Sequence, residues 1–192
     1  MMYLSAISGL KRIPRSGWIS HGISLQDVES VAEHSFSTCA LSMFLADLEN
    51  DRGADVDSER VLRMATLHDM AEALTFDISK GYLSYLGRRG RLIKKEIETA
   101  AWKQLTSGLE SNLSKYYLGL QKEYAENKTI EAQVVHAADS LDILLQITDL
   151  RRRGYPIKEV KDLWTETTKK IQRTQIRSAR SVLRLIVKES RS

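Results

Sequence analysis

Residues 64–72 read MATLHDMAE, and this stretch decides how the rest of the chain is interpreted. Apolar residues recur at helical spacing from about Arg60 to Leu74, so the pattern predicts an amphipathic helix that carries His68 and Asp69. A carboxylate on an apolar helix face must be paired, neutralised or bound to a metal, because an isolated charge is costly to bury. The stretch therefore predicts a helix that contributes a histidine and an aspartate to a polar site.

Two further residues extend this pair into an ordered set. His34 precedes the pair, and Asp139 follows it in an otherwise apolar run. Two imidazoles and two carboxylates form a mixed nitrogen and oxygen ligand set that suits one divalent transition metal, whether manganese, cobalt, zinc, iron or nickel. The alternative is that these side chains are merely solvated or hydrogen-bonded and hold no metal. We expect a metal site formed by His34, His68, Asp69 and Asp139.

Two more carboxylates follow the pair. Glu72 is four residues after His68, so on a helix the two side chains stack on one face. Glu72 is then either an ordinary helical partner of His68 or a carboxylate beside the metal that orients or deprotonates a water. Asp77, just beyond the predicted helix end, is either a capping or loop residue or a second catalytic carboxylate.

The composition favours an all-α chain. The sequence of 192 residues holds only two prolines, Pro14 and Pro156, and both lie between helical patterns. Strand-like alternation of apolar residues is absent, and one domain is the expected count at this length. We predict a single compact domain over residues 1–192, with the metal site within about residues 10–150 and the helices of residues 157–189 packed on it.

The charge pattern limits the classes of partner. A net charge of +4 without an aromatic and basic motif favours a small anionic substrate, such as a phosphate ester, over a nucleic acid polymer. No stretch reaches the roughly 18 apolar residues that a membrane span needs, so we expect no membrane partner. The single cysteine, Cys39, cannot form an internal disulfide, which favours a reducing compartment and a cytoplasmic protein.

Four segments together resemble the HD superfamily of metal-dependent phosphohydrolases, and within it the 5′-deoxynucleotidases and related HD domain-containing proteins. These segments are residues 10–18 (LKRIPRSGW), 28–35 (VESVAEHS), 64–72 together with Asp77-Ile78, and 137–139 (AAD). The resemblance covers residues 10 to about 150. It implies an all-helical fold and one divalent metal held by the residues that match His34, His68, Asp69 and Asp139.

The same resemblance implies roles for the other candidate residues. Arg15 matches a phosphate-binding arginine, with Arg12 as the alternative, and Trp18 matches a tryptophan near the sugar. Glu72 and Asp77 match catalytic carboxylates. By this resemblance, we expect the phosphate and sugar of a nucleotide to lie beside the metal.

The resemblance also implies an activity. Members of the subgroup remove phosphate from deoxyribonucleoside 5′-monophosphates and are commonly dimers, so we expect a metal-dependent 5′-deoxynucleotidase that forms a homodimer. The alternatives are an HD phosphohydrolase that acts on a cyclic nucleotide, an alarmone or a triphosphate, and a nucleotide-binding regulator without activity. The chain departs from the family at Phe76, where glycine often precedes the aspartate that matches Asp77. A bulky ring there would narrow the pocket or shift the loop.

Overall fold

The computed structural model of the protein describes residues 2–190 and, within them, every side chain except those at positions 80, 82 and 157. In this part of the chain there are eleven α-helices, one short 3₁₀ helix and no β-strand, which confirms the predicted all-α class. The α-helices are α1 (Met2–Leu10), α2 (Ser16–Ser20), α3 (Val31–Asp51), α4 (Ser58–Leu67), α5 (Glu72–Thr75), α6 (Lys80–Ser84), α7 (Gly87–Thr106), α8 (Ser111–Glu126), α9 (Ile130–Arg152), α10 (Lys161–Gln172) and α11 (Arg177–Glu189). The 3₁₀ helix is Ile157–Val160.

The start of α3 follows from its local sequence. The Ser30 hydroxyl accepts a hydrogen bond from the Glu33 amide at 3.2 Å, and the Glu33 carboxylate accepts one from the Ser30 amide at 2.6 Å. This reciprocal capping box pairs two backbone amides that the first turn of a helix otherwise leaves without partners. It fixes the turn of α3 that carries His34.

The prediction of a single helix from about Arg60 to Leu74 is wrong. Helix α4 ends at Leu67 and α5 begins only at Glu72, while residues 68–71 form tight turns. The Glu72 amide bonds to the carbonyl three residues earlier at 3.0 Å, which is the tighter 3₁₀ pattern rather than the α-helical one. Over a single turn the two patterns bury almost the same positions, so apolar periodicity could not separate them.

The chain divides into two compact units, which we describe separately. The first comprises Met1–Ser35 and Leu67–Lys122. Within it, α1 packs against α5 and α7, and α6 packs against α7 and α2. Its buried apolar side chains include Trp18, Met70 and Trp102. This unit contains α2, the first turn of α3 and the turns that follow α4.

The second unit comprises Phe36–Thr66 and Glu123–Ser192, and it is built on α9. Helices α10 and α11 and the 3₁₀ helix all contact α9, which buries apolar residues around most of its circumference. In the same unit the buried Glu49 carboxylate accepts a hydrogen bond from the Ser178 amide at the start of α11. None of the helices in residues 2–190 combines the length and the apolar character needed to cross a lipid bilayer.

Candidate metal centre

Three predicted metal ligands of the first unit converge on one point. His34 Nε2 and His68 Nε2 are 3.3 Å apart, and Asp69 Oδ2 lies 3.5 Å from the first and 3.2 Å from the second. Two ligand atoms that each bind one ion at about 2.0–2.2 Å lie about 2.8–3.6 Å apart in tetrahedral or octahedral geometry. The three atoms therefore fit one divalent cation, and their mixed nitrogen and oxygen chemistry suits a transition metal.

The tight turns after α4 explain how adjacent residues reach the same point. On a regular α-helix, the side chains of His68 and Asp69 would diverge by about 100°. The interruption of the helix at residues 68–71 removes that constraint and lets both side chains face His34. His34 is fully buried in the first turn of α3, so its ring nitrogens are shielded from bulk water.

Arg15 lies against this cluster. Its Nη1 donates a hydrogen bond to Asp69 Oδ2 at 3.0 Å, whereas the side chain of Arg12 is exposed. Burial by itself would raise the pKa of Asp69, but the neighbouring His68, Arg15 and His34 hold that pKa well below its usual range. Asp69 is therefore ionised at neutral pH and available as a ligand.

Glu72 is a buried carboxyl group whose pKa lies far above its ordinary value. Burial raises the pKa of Glu72 to about 9, and the nearby charges of Asp69 and Asp77 add to this effect, while Arg15 and Lys94 oppose it. Its Oε2 atom is buried with no hydrogen-bond partner within residues 2–190. A buried polar atom without a partner costs free energy, and such groups are concentrated at functional sites. This favours a role for Glu72 at the site over that of an ordinary helical partner of His68.

Asp77 anchors the start of α2. Its Oδ2 accepts a hydrogen bond from the Ser16 amide at 2.6 Å, and its carbonyl accepts one from the Ser16 hydroxyl at 2.7 Å. Ser16 directly follows Arg15, so this pair of bonds ties the arginine to the loop after α5. Of the alternatives left open for Asp77, the structure therefore shows capping contacts, and a catalytic role in addition remains a prediction.

Two residues with no role in the sequence reasoning lie beside the candidate site residues, one bonded to Trp18 and the other to the residue that follows Asp77. The indole Nε1 of Trp18 donates a hydrogen bond to Glu29 Oε1 at 2.9 Å, and Lys94 Nζ lies 3.5 Å from the carbonyl oxygen of Ile78. Glu29 lies in segment 28–35, but no periodicity or spacing marks its side chain as different from its neighbours. Neither contact has a local signal in the sequence, because both join residues more than two helical turns apart.

Asp139, the fourth predicted ligand, lies in the second unit. It is partly buried on α9, and Asp142 on the same helix is buried. Its role as a metal ligand stays a prediction. His136, one turn earlier, stacks on the ring of Tyr124 with centroids 4.1 Å apart, and its Nε2 lies 2.9 Å from the Tyr124 carbonyl oxygen. These contacts give His136 a structural role.

Comparisons with known proteins agree with this geometry. A family model described as the HD domain matches residues 7–182. The human 5′-deoxynucleotidase HDDC2 is 28% identical over 176 residues, which cover 92% of this chain and 80% of the relative. The 5′-deoxynucleotidase hdd1 of Schizosaccharomyces pombe is 30% identical over 155 residues, which cover 79% and 72%. The PH0347 protein from Pyrococcus horikoshii OT3 superimposes with a TM-score of 0.80 at 29% identity over 97% of this chain and 98% of that one.

Proposed function

The chain belongs to the HD domain family, and from this premise we propose that it is a metal-dependent 5′-deoxynucleotidase, which hydrolyses deoxyribonucleoside 5′-monophosphates to deoxynucleosides and phosphate. The observation that carries this proposal is the convergence of His34, His68 and Asp69, with the Arg15 guanidinium 3.0 Å from the same Asp69 oxygen. A cation site beside an arginine suits a phosphate ester, because both groups attract phosphoryl oxygens.

Four residues are proposed to hold the metal. His34, His68 and Asp69 supply the three ligand atoms that lie together, and Asp139 is the proposed fourth ligand on the basis of the family resemblance. A divalent ion bound there supplies Lewis-acid activation of water and of the phosphoryl group. Manganese, cobalt, zinc, iron and nickel are all accepted by such a ligand set, so the metal is assigned by class.

The remaining residues are proposed to bind and orient the substrate. Arg15 holds the phosphate through charge-assisted hydrogen bonds, and the bond to Asp69 already aims its guanidinium at the cluster. During hydrolysis a water oxygen bonds to phosphorus, the bond from phosphorus to the 5′ oxygen breaks, and the leaving oxygen takes a proton. We assign Glu72 to orient the water or accept its proton, the latter because a divalent cation bound beside it would lower its pKa again. We assign Asp77 to position the sugar or protonate the leaving oxygen.

Trp18 is proposed to give the preference for deoxyribonucleotides. It lies one helical turn after Arg15, and the family resemblance implies a tryptophan near the sugar at this position. A rigid aromatic wall at that place disfavours the additional 2′-hydroxyl of a ribonucleotide, although exclusion of one oxygen by steric contact gives only modest discrimination.

The test is phosphate release from a panel of nucleotides. The purified protein is stripped with chelator, and manganese, cobalt, zinc and magnesium are restored singly with deoxyribo- and ribonucleoside 5′-monophosphates, cyclic nucleotides, alarmones and triphosphates. We expect release from the deoxyribonucleoside 5′-monophosphates. Absence of release from all of them with every metal would refute the proposal, and release from another class alone would reassign the substrate.

Three variants separate the proposed roles. Asp69→Ala should lose both the bound metal and turnover, because it removes a ligand atom. Glu72→Ala should keep stoichiometric metal and lose turnover. Glu59→Ala is a matched control, because Glu59 is an exposed glutamate of the second unit, and it should behave as the wild type. Normal turnover by Glu72→Ala would show that its assigned role is wrong.

We also propose that the enzyme is a cytoplasmic homodimer. The support for the dimer is the family resemblance, and the support for the compartment is the single cysteine, Cys39, which has a free thiol. Light scattering on the eluting protein measures the mass directly. A mass of one chain at micromolar concentration would contradict the dimer.

A further inference from the structure

We propose that Glu29 is a positioning residue that holds the indole ring of Trp18 and thereby sets the discrimination between deoxyribo- and ribonucleotides. The inference rests on the proposed nucleotidase function and deepens it, because it names the residue on which the selectivity of the site depends. Glu29 does not have to touch the substrate for this role.

The first observation is a hydrogen bond to a buried ring. Trp18 is 3% exposed, and its Nε1 donates to Glu29 Oε1 at 2.9 Å. A buried indole N–H needs an acceptor, since an unpaired donor in the interior costs about 1–3 kcal/mol. A charged acceptor makes this bond stronger than one between neutral groups. The carboxylate therefore selects one orientation of the ring.

The second observation is that the backbone of Glu29 binds the backbone of Arg15, three residues before Trp18. The Glu29 carbonyl accepts a hydrogen bond from the Arg15 amide at 3.0 Å, and the Val31 amide donates to the Ile13 carbonyl at 2.8 Å. These bonds pair residues 13–15 with residues 29–31 in antiparallel fashion. Glu29 thus holds Arg15 through its main-chain carbonyl and Trp18 through its side-chain carboxylate.

These two contacts can be separated by substitution. A change of the Glu29 side chain leaves its carbonyl oxygen, and so the bond to Arg15, in place. Any effect of such a change on the sugar preference must then act through a contact of the Glu29 carboxylate, of which the hydrogen bond from the Trp18 indole is one. A carboxylate oxygen of Glu29 also lies within 4.8 Å of a ring nitrogen of His34, so an effect through the metal ligand has to be measured separately.

The direct readout is the indole resonance of Trp18 in ¹⁵N-labelled protein. The chain has three tryptophans, and the spectrum of Trp18→Phe identifies the signal that belongs to Trp18. In Glu29→Leu we expect this indole proton to move upfield and to exchange at least about tenfold faster, because its acceptor is gone. In Glu29→Gln the amide oxygen can still accept, so the signal should remain protected.

The functional readout is the ratio of kcat/KM for deoxyribo- and ribonucleoside 5′-monophosphates. We expect Glu29→Leu to lower this ratio about threefold to tenfold, and Glu29→Gln to restore most of it. In the Trp18→Phe background, Glu29→Leu should have little further effect, because the two residues act through one hydrogen bond. If Glu29→Leu does not fold, Glu29→Asp keeps the charge but shortens the reach, and it must lower the ratio in the same way.

Glu33→Leu is the matched control. Glu33 is an exposed glutamate four residues after Glu29, and its carboxylate accepts a hydrogen bond from the Ser30 amide. Its loss should weaken the start of α3 without changing the ratio of kcat/KM for deoxyribo- and ribonucleotides. Metal content is measured for each variant. An unchanged Trp18 indole signal in Glu29→Leu, an equal change of ratio in Glu33→Leu, or loss of metal from Glu29→Leu would each overturn the proposal.

The two proposals fail in different ways. If the wild-type protein releases phosphate from no nucleotide, the nucleotidase function fails, while the indole resonance still reports whether Glu29 holds the ring. If the wild type is active and selective but Glu29→Leu keeps the same ratio, the function stands and the positioning role of Glu29 fails.

Discussion

The variant Phe76→Gly should be more stable than the variant Phe76→Ala, because the backbone conformation at this position is unfavourable for any residue with a Cβ atom. Its φ is 59° and its ψ is 170°, a region populated essentially by glycine. The same conformation would suit the glycine that the family resemblance implies before the residue that matches Asp77, whereas Phe76 adopts it under strain. The strain lies at the end of α5, in the loop that leads to the bonds between Asp77 and Ser16.

The magnitude follows from two opposing terms. Release of the strained conformation at Phe76 returns about 1–3 kcal/mol. The greater freedom of glycine in the unfolded chain costs about 0.5–1 kcal/mol. The ring is 66% exposed, and Phe76→Ala and Phe76→Gly both forfeit its small buried area. Phe76→Gly should therefore exceed Phe76→Ala in stability by about 1 kcal/mol, the difference between the midpoints of the two terms. Each kcal/mol is about 2–4 °C in Tm for a chain of this size.

The assay is urea unfolding of both variants beside the wild type. The slope of the unfolding free energy against urea concentration should be the same for all three proteins, which checks two-state behaviour. Asn127→Gly is the matched control, because Asn127 has φ of 51° and is exposed, but asparagine tolerates this region. The gain in unfolding free energy of Asn127→Gly over the wild type should be smaller than the gain of Phe76→Gly over Phe76→Ala. If Phe76→Gly is no more stable than Phe76→Ala, the backbone at this position is not strained and the reasoning is refuted.

Three other predictions concern the metal, the buried carboxylate of Glu49 and the partly buried carboxylate of Glu123. Restoring the metal at about 100 times its Kd should stabilise the chelated protein by about 2.7 kcal/mol, measured as a rise in Tm, and Asp69→Ala should show no rise. Glu49→Leu should lower the free energy of unfolding by about 1–3 kcal/mol in urea, because the buried Ser178 amide loses its acceptor; equal stability would contradict this. The hydrogen bonds from Arg60 hold the pKa of Glu123 below its usual value, so this pair stabilises the fold above the unfolded pKa of about 4.3. That stability is lost as the pH falls through the folded pKa, so Glu123→Gln should be less stable than the wild type at pH 7, and the difference should shrink at pH 3.

The features that could be read from the sequence are those encoded within a helical turn or by residue type. The capping box of Ser30 and Glu33 lies within four residues, and the structure forms it. The all-α class follows from apolar periodicity and the scarcity of proline. The order of His34, His68 and Asp69 indicated a metal-binding family because these side chains are costly to bury without a partner, and the family is confirmed by the match over residues 7–182.

The features that could not be read from the sequence are those that depend on contacts between segments far apart in the chain. The turns at residues 68–71 replace a continuous helix, and this choice depends on what the side chains of His68 and Asp69 meet in the folded chain. The selection of Arg15 over Arg12 beside Asp69 likewise depends on how the segment is held, since both arginines are close in sequence.

The sequence by itself determined the helical class, the family and the types of side chain that make the site, because local hydrogen bonding and the cost of burying charge act on residue identity alone. Only the tertiary structure decided that Asp77 holds Ser16 and that Glu29 holds Trp18, at separations of 61 and 11 residues. The physical reason is that a hydrogen bond between distant residues gains its strength only after packing has excluded water from both partners. No property of either residue in the unfolded chain specifies that bond.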